Sequence, residues 1–239
     1  MLHLLASLSH SAEHAAWDAL LAAHVTNSGV DYAGFDGAAL DAYVAGLAAA
    51  EKPEGRDATL AFTMNAYNAL TVDLMLDHPE VKSIRELDGG EVWKTREFTV
   101  AGEQVTLDHL ENGVLRPLGD PRIHAGLNCA SKGCPPLFGD AFETATVQAQ
   151  LDDATKNWVS LNAYITSKME DELALSMIFD WFAADFAAYA TPDLAHAEGK
   201  EEQAINFLIK YTDEGTAKWL REGNYQVSWR EYDWAKNAR

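Results

Sequence analysis

Apolar residues recur at helical spacing along most of this chain, and the breaks between such stretches fall at proline, glycine and short polar clusters. After Ser11, the residues Trp17, Leu20, Leu21, His24 and Val25 share one face; after Asp36, Leu40, Tyr43, Val44 and Leu47 do the same. Each run reads as an amphipathic packing helix behind an N-cap residue. Between them, Val30-Asp31-Tyr32 with Gly34 is a brief extended piece and turn. Lys52-Pro53-Glu54-Gly55-Arg56 interrupts the pattern, and Asp57 caps a longer helix that runs to about Asp77, where His78-Pro79 stops it. This third helix carries one stripe of Leu60, Met64, Tyr67, Thr71, Leu74 and Met75, and a second of Ala61, Phe62, Ala69, Val72 and Leu76. A helix apolar nearly all round belongs inside the protein.

Further on, Glu97 to Val105 predicts a hairpin turning at Ala101-Gly102. Thr106 starts a helix whose inner face is Leu107, Leu110, Val114 and Leu115. Ile123 to Leu127 reads as a short apolar strand, followed by a glycine- and proline-bounded loop to Pro136. A helix over Thr146 to Leu161, a strand near Leu173 to Ser176, an aromatic helix with Ile178, Phe179, Trp181, Phe182 and Phe186, and a helix over Ala204 to Tyr211 come next. Gly199-Lys200-Glu201-Glu202 reads as a solvated turn, and Tyr225, Val227 and Trp229 alternate as a strand. No repeat, low-complexity tract or linker divides the chain. The predicted class is α+β: a mostly helical single domain with a small antiparallel sheet that carries the His124 to Cys129 stretch. Residues 1–29 form an N-terminal helical extension and 30–239 the globular domain.

Composition narrows the partners. At 239 residues, with 7 Trp, 8 Tyr and 9 Phe, the chain is long enough for a substantial core. Acidic residues outnumber basic ones 37 to 18, a formal charge of -19, so the average surface repels phosphate backbones and anionic headgroups. Nucleic acid and membrane surfaces are therefore not the expected partners, and no apolar run is long enough for membrane insertion. The start, Met1-Leu2-His3-Leu4-Leu5-Ala6-Ser7-Leu8-Ser9, lacks a basic leader and reads as the remnant of a trimmed signal peptide.

The candidate chemistry is concentrated in Pro121 to Pro136, which holds both cysteines, Cys129 and Cys134, together with His124 and Ser131. A cysteine near a histidine is a natural nucleophile–base pair. Geometry limits it: were 124–129 one straight strand, His124 and Cys129 would lie about 16 Å apart on opposite faces. They meet only if the chain bends after Leu127, or if His124 pairs with Cys134 instead. Lys132 is placed to lower a thiol pKa. The other reading is a Cys129–Cys134 disulfide or inert packing. Zinc is disfavoured because C-x4-C lacks a second close pair, and His10 with His14 reads as a solvated helix face, so no metal and no cofactor is expected. No paired-carboxylate spacing and no glycine-rich phosphate loop occurs.

Asn65 and Asn68 are neighbours on the buried helix. An unpaired buried carboxamide costs about 1–3 kcal/mol, so each either ties down a loop through its backbone or addresses a ligand. Glu111 with Arg116 and Arg122 forms an internal ion-pair brace, or leaves an arginine for a substrate carboxylate.

Several motifs together resemble the domain of unknown function 547 family. They are Asn65-Ala66-Tyr67-Asn68-Ala69-Leu70, Ser83-Ile84-Arg85, Trp93-Lys94, Val100-Ala101-Gly102, and Leu110-Glu111 with Leu115-Arg116. The run from Pro121-Arg122-Ile123-His124 through Asn128-Cys129-Ala130-Ser131 to Cys134-Pro135-Pro136-Leu137, and the terminal Tyr232-Asp233-Trp234 with Asn237, complete the set. The resemblance runs in order from about Val30 to the end. Many members carry histidine directly after the glutamate, where this chain has Asn112, so no role for that histidine is carried over. Exported bacterial members are common, which implies a periplasmic or secreted protein, with a cytoplasmic location as the alternative. The family supplies no reaction.

The functional expectation is a thiol-dependent hydrolase or acyl/peptidyl transferase acting on a small-molecule, peptide-like or thiol-containing substrate. Cys129 is the nucleophile, His124 the base and Asn65 a third catalytic group. Asn68, Arg116, Arg122, Ser131 and Cys134 line the substrate, with Glu111 in support. Papain and transglutaminase cores are the architectural analogy, requiring helix, sheet and cysteine to meet in one cleft. The alternative is a noncatalytic small-ligand-binding envelope protein with a Cys129–Cys134 disulfide or inert cysteines. Oligomeric state is not legible.

Overall fold

A computed structural model describes residues 14–167, 171–189, 194 and 196–239. Ser11, His10 and the apolar start lie outside the described residues. The chain divides into two compact units, one of residues up to Leu151 together with Trp234–Arg239, the other of Asp152–Asp233.

In the first unit, α1 (14–24) is followed by the short pair β1 (Val25–Thr26) and β2 (Gly29–Val30), then α2 (Gly37–Ala49) and α3 (Arg56–Asp77). Trp17, Leu20 and Leu21 of α1, assigned from sequence to an extension, join α2 and α3 in one core. His14 is not solvated: it is buried, and its Nδ1 lies 2.7 Å from the Tyr43 hydroxyl. Asp36 caps α2 by accepting from the Ala39 N–H. At α3 the capping position is Gly55 rather than Asp57; Asp57 stands in the first turn, where a carboxylate complements the helix dipole. As the double stripe requires, α3 is buried nearly all round from Leu60 to Met75.

After a short helix α4 (Val92–Thr95), the hairpin forms as β3 (Phe98–Val100) against β4 (Glu103–Val105), with Phe98 opposite Val105. Ala101 and Gly102 both have positive φ, 50° and 74°, as a two-residue type I′ turn demands. Their N–H groups donate to the carbonyls of Leu47 and Ala48, so the hairpin tip satisfies the end of α2. Beyond it a helical segment widens into a π-helix over His109–Leu115.

Between Ile123 and Gly126 the structure has a single helical turn, α5, not a strand, so no sheet carries the His124 to Cys129 stretch. A run as short as Ile123-His124-Ala125-Gly126 fits either element, and the backbone decides: Ile123, His124 and Ala125 donate to the carbonyls of Asp120, Pro121 and Arg122. Pro121 presets the φ that starts such a turn.

The second unit takes most of α6 (Val147–Leu161), then β5 (Tyr164–Ser167), β6 (Glu172–Leu175), α7 (Met177–Trp181), α8 (Gly199–Tyr211), α9 (Glu214–Glu222) and β7 (Gln226–Trp229). Its sheet runs in the order β5-β6-β7, antiparallel in the first pairing and parallel in the second. Gly199 to Glu202 is the first turn of α8, not a solvated loop; Glu201 and Glu202 there sit favourably at the helix N-terminus. The core is aromatic, with Trp158 stacked on Phe179 at 5.0 Å and Phe186 edge-on to Phe207 at 5.0 Å. Such pairs add directional attraction to their burial.

The last six residues form a strap on the first unit. Val30 donates to Asn237 O and Arg239 to Val30 O, at 2.9 and 3.1 Å. Trp234 meets Trp93 edge-on at 6.0 Å and receives the Arg85 guanidinium over its face at 4.9 Å.

Gly29 has φ 132°, and a Cβ there would lie 2.3 Å from Asn237 O. Gly29→Ala therefore lowers the melting temperature by several degrees through displacement of the strap, whereas Gly37→Ala, which meets nothing, does not; calorimetry of the two variants decides. A second prediction concerns Asp73 on α3, whose carboxyl is pushed up to about 6 by burial and then by Asp77 and Asp41. Because folding favours its protonated form, the stability it contributes is full below the unfolded value near 4 and is lost as pH rises through about 6. Asp73→Asn raises the urea midpoint at pH 7 and flattens its dependence between pH 4 and about 6; an unchanged pH profile would refute this origin.

Candidate functional site

The site is built around a cystine. Cys129 and Cys134 are joined by a disulfide with Cα atoms 6.2 Å apart, and no cysteine is free. This corrects the assignment of Cys129 as a nucleophile and of Cys134 as a substrate contact: neither sulfur carries the thiolate that attack requires. Cys129 N–H donates to Cys134 Sγ at 3.0 Å, and buried Ser131 donates its hydroxyl to Cys129 Sγ at 2.9 Å. Ser131 is thus turned to the cystine. Within the ring, Ala130 is fully buried at φ 58°, a left-handed conformation that a residue with a Cβ adopts only where its surroundings impose it.

Three asparagines impose it. Asn68, from α3, donates Nδ2–H to Gly126 O at 2.8 Å and accepts the Asn128 N–H at 2.9 Å, gripping the exit of α5 as a partner strand would. Asn128 donates to Pro135 O at 2.8 Å, and its Oδ1 accepts from Ala130 N–H and from Asn237 Nδ2–H. Asn237 in turn accepts the Tyr32 hydroxyl at 2.8 Å. Asn65 does not reach this loop. Its amide is spent on Phe142, donating to the carbonyl at 2.8 Å and accepting the N–H at 2.9 Å, which removes it from the catalytic set.

The arginines separate. Arg122 grips Asp120 with two bonds, Nε at 2.9 Å and Nη2 at 2.7 Å, and donates to Gln148 O, while Arg56 reaches the same carboxylate at 3.0 Å. Burial alone would raise Asp120, but the Arg122 bonds and charge, with Arg56, hold it below the usual carboxylate range. Arg122 is thus braced on Asp120, and these bonds occupy its guanidinium. Arg116 donates to Asn112 at 2.9 Å and faces Glu111 electrostatically.

Glu111 lies on the π-helix, a distortion frequent at functional sites. Its Oε1 is 4.0 Å from His124 Nδ1; the imidazole is 2% exposed and the carboxyl 15%. Tyr67 hydrogen-bonds to the same carboxyl. Burial pushes Glu111 up, opposed by His124, Tyr67 and Arg116, so its protonated form is favoured relative to an ordinary glutamate. Among the described residues, no group of three or more His, Cys, Asp or Glu is placed to hold a metal ion.

Sequence reasoning treated Tyr67 as core and met Asn128, Ala130 and Asn237 only as members of the resemblance motifs, with no role assigned. Asn128 carried a signal, a polar amide between an apolar run and a cysteine. Asn237 stood in the terminal motif, but no local pattern identifies its partner, 109 positions away.

The family described as "Protein of unknown function, DUF547" matches residues 52–159. That span contains Asn65, Asn68, Glu111, Arg116, Arg122, His124 and the cystine, and it excludes the strap. No curated protein and no solved structure matches the chain.

Asn68→Ala leaves a buried carbonyl at Gly126 and a buried N–H at Asn128 without their partner, each worth roughly 1–3 kcal/mol. The variant is expected to lose about 2–4 kcal/mol in urea unfolding. A loss below roughly 1 kcal/mol would show that the clamp does not hold the loop.

Proposed function

Starting from the DUF547 domain at residues 52–159, we propose that this chain is a noncatalytic small-ligand-binding protein of the cell envelope, with a peptide-like, carboxylate- or carbonyl-bearing ligand. The disulfide carries the reading: with both sulfurs bonded to each other, the segment has no free thiol to act as a nucleophile. Disulfides persist in oxidising compartments, which supports an envelope location. What supports a site rather than bare scaffold is the Tyr67, Glu111 and His124 cluster, because ionisable groups withdrawn from water concentrate where ligands are handled. Glu111 is its solvent-facing member. Arg116 adds positive charge beside it, which suits a carbonyl or carboxylate oxygen.

A second reading, the thiol-dependent hydrolase or acyl/peptidyl transferase, draws on one observation, the Glu111–His124 pair, since a carboxylate behind an imidazole is how a base is oriented. It requires the cystine to be reduced first.

Iodoacetamide mapping of the native protein separates the two. Under the binding reading both cysteines stay unlabelled until a dithiol is added; rapid labelling of Cys129 without reductant favours the catalyst. In parallel, melting is followed against a panel of di- and tripeptides. A ligand at a hundred times its Kd adds about 2.7 kcal/mol of stability, a rise of several degrees, and Glu111→Ala abolishes the rise. A panel that moves no melting temperature would overturn the proposed ligand class.

A further inference from the structure

The strap is attached to the cystine ring itself. Ala130, Ser131 and Lys132 lie between the bonded cysteines, and they are the residues that pair with the C-terminus: Asn237 N–H donates to Ala130 O at 3.1 Å, Lys132 N–H to Ala235 O at 2.9 Å, and Ser131 stands opposite Lys236 in an antiparallel bridge. The Asn237 amide adds a bond from outside the ring, to Asn128 Oδ1 at 3.0 Å. On its other edge the strap pairs in parallel with Val30, and burial pushes the Tyr32 phenol up, keeping it a neutral donor to Asn237.

We propose that the Cys129–Cys134 disulfide is a redox latch for the C-terminal strap. The physical basis is Ala130. Its left-handed backbone is disfavoured for a residue with a Cβ, yet that conformation aims its carbonyl at the Asn237 N–H. A closed ring of six residues restricts the alternatives open to Ala130; an open one lets it return to ordinary backbone angles, and the row of bonds to 235–237 is lost with it. Reduction takes two electrons and two protons from a dithiol: the Sγ–Sγ bond breaks, two thiols form, and the dithiol leaves as its own disulfide. Cys129 is only partly buried, so one residue of the bridge lies within reach of solvent. The latch is independent of what the Glu111 cluster binds.

The test is hydrogen exchange on the full chain, oxidised and after dithiothreitol, with the redox state read from the mass, and on a Cys129→Ser, Cys134→Ser double variant. The N–H groups of Lys132 and Asn237 report the ring edge and those of α3 the core. The latch predicts at least roughly tenfold faster exchange at Lys132 and Asn237 on reduction and in the variant, with α3 unchanged. Unchanged exchange at both amides in fully reduced protein overturns it. So does exchange that rises equally in α3, which would make the disulfide a general staple of the fold rather than a latch.

Discussion

A carboxamide buried in a helix interior cannot be left half paired, and much of the first unit is arranged around that constraint. Asn65 and Asn68 sit one turn apart on α3, a helix otherwise lined by Leu60, Met64, Leu70 and Met75, and each spends both ends of its amide on another segment's backbone. Asn65 holds the chain at Phe142 and Asn68 holds it between Gly126 and Asn128. In low dielectric such bonds are strong and their loss is expensive, so two side chains position the loops on which the cystine and the histidine are carried. Gly126 belongs to the same arrangement. A Cβ there would come within 2.9 Å of Met64 Sδ and 3.1 Å of Phe142, so the turn lies directly against the helix that grips it.

From that grip the polar network spreads outward. Asn128 passes the order to Ala130 and Asn237, and through Asn237 to Tyr32 and Val30, so elements from both ends of the chain converge on one loop. The charged residues behave as two separate groups. Asp120 is held ionised between Arg122 and Arg56 and acts as a brace, while Glu111 is pushed toward its neutral form beside His124. Environment, not residue type, holds one carboxyl ionised and pushes the other toward its neutral form.

The cystine is where chemistry and scaffold meet. The same two sulfurs that would supply a nucleophile close a ring of six residues, and the ring's inner residues hold the C-terminus. A chemically dense segment is for that reason an ambiguous one: cysteine, serine, histidine and asparagine serve a rigid loop as readily as a reaction.

Helix positions were legible because their periodicity is local: the faces of α2 and α3, the Asp36 cap and the hairpin turn at Ala101-Gly102 follow from residues near each other in sequence. So was the weight of chemistry in 121–136, and so was the pair of roles open to the asparagines. Three things were decided only in three dimensions. A short run folds as a helical turn or a strand according to where its backbone groups find partners, and the N–H groups of Ile123, His124 and Ala125 find theirs three residues back along the chain. Two cysteines five apart are thiols or a bridge according to whether the loop brings them together, which the Asn68 and Asn128 bonds help to arrange. The pairing of Arg56 with Asp120, and of Asn237 with Asn128, depends on long-range closure that no local pattern encodes, because a hydrogen bond is selected by distance in space and not by separation along the chain.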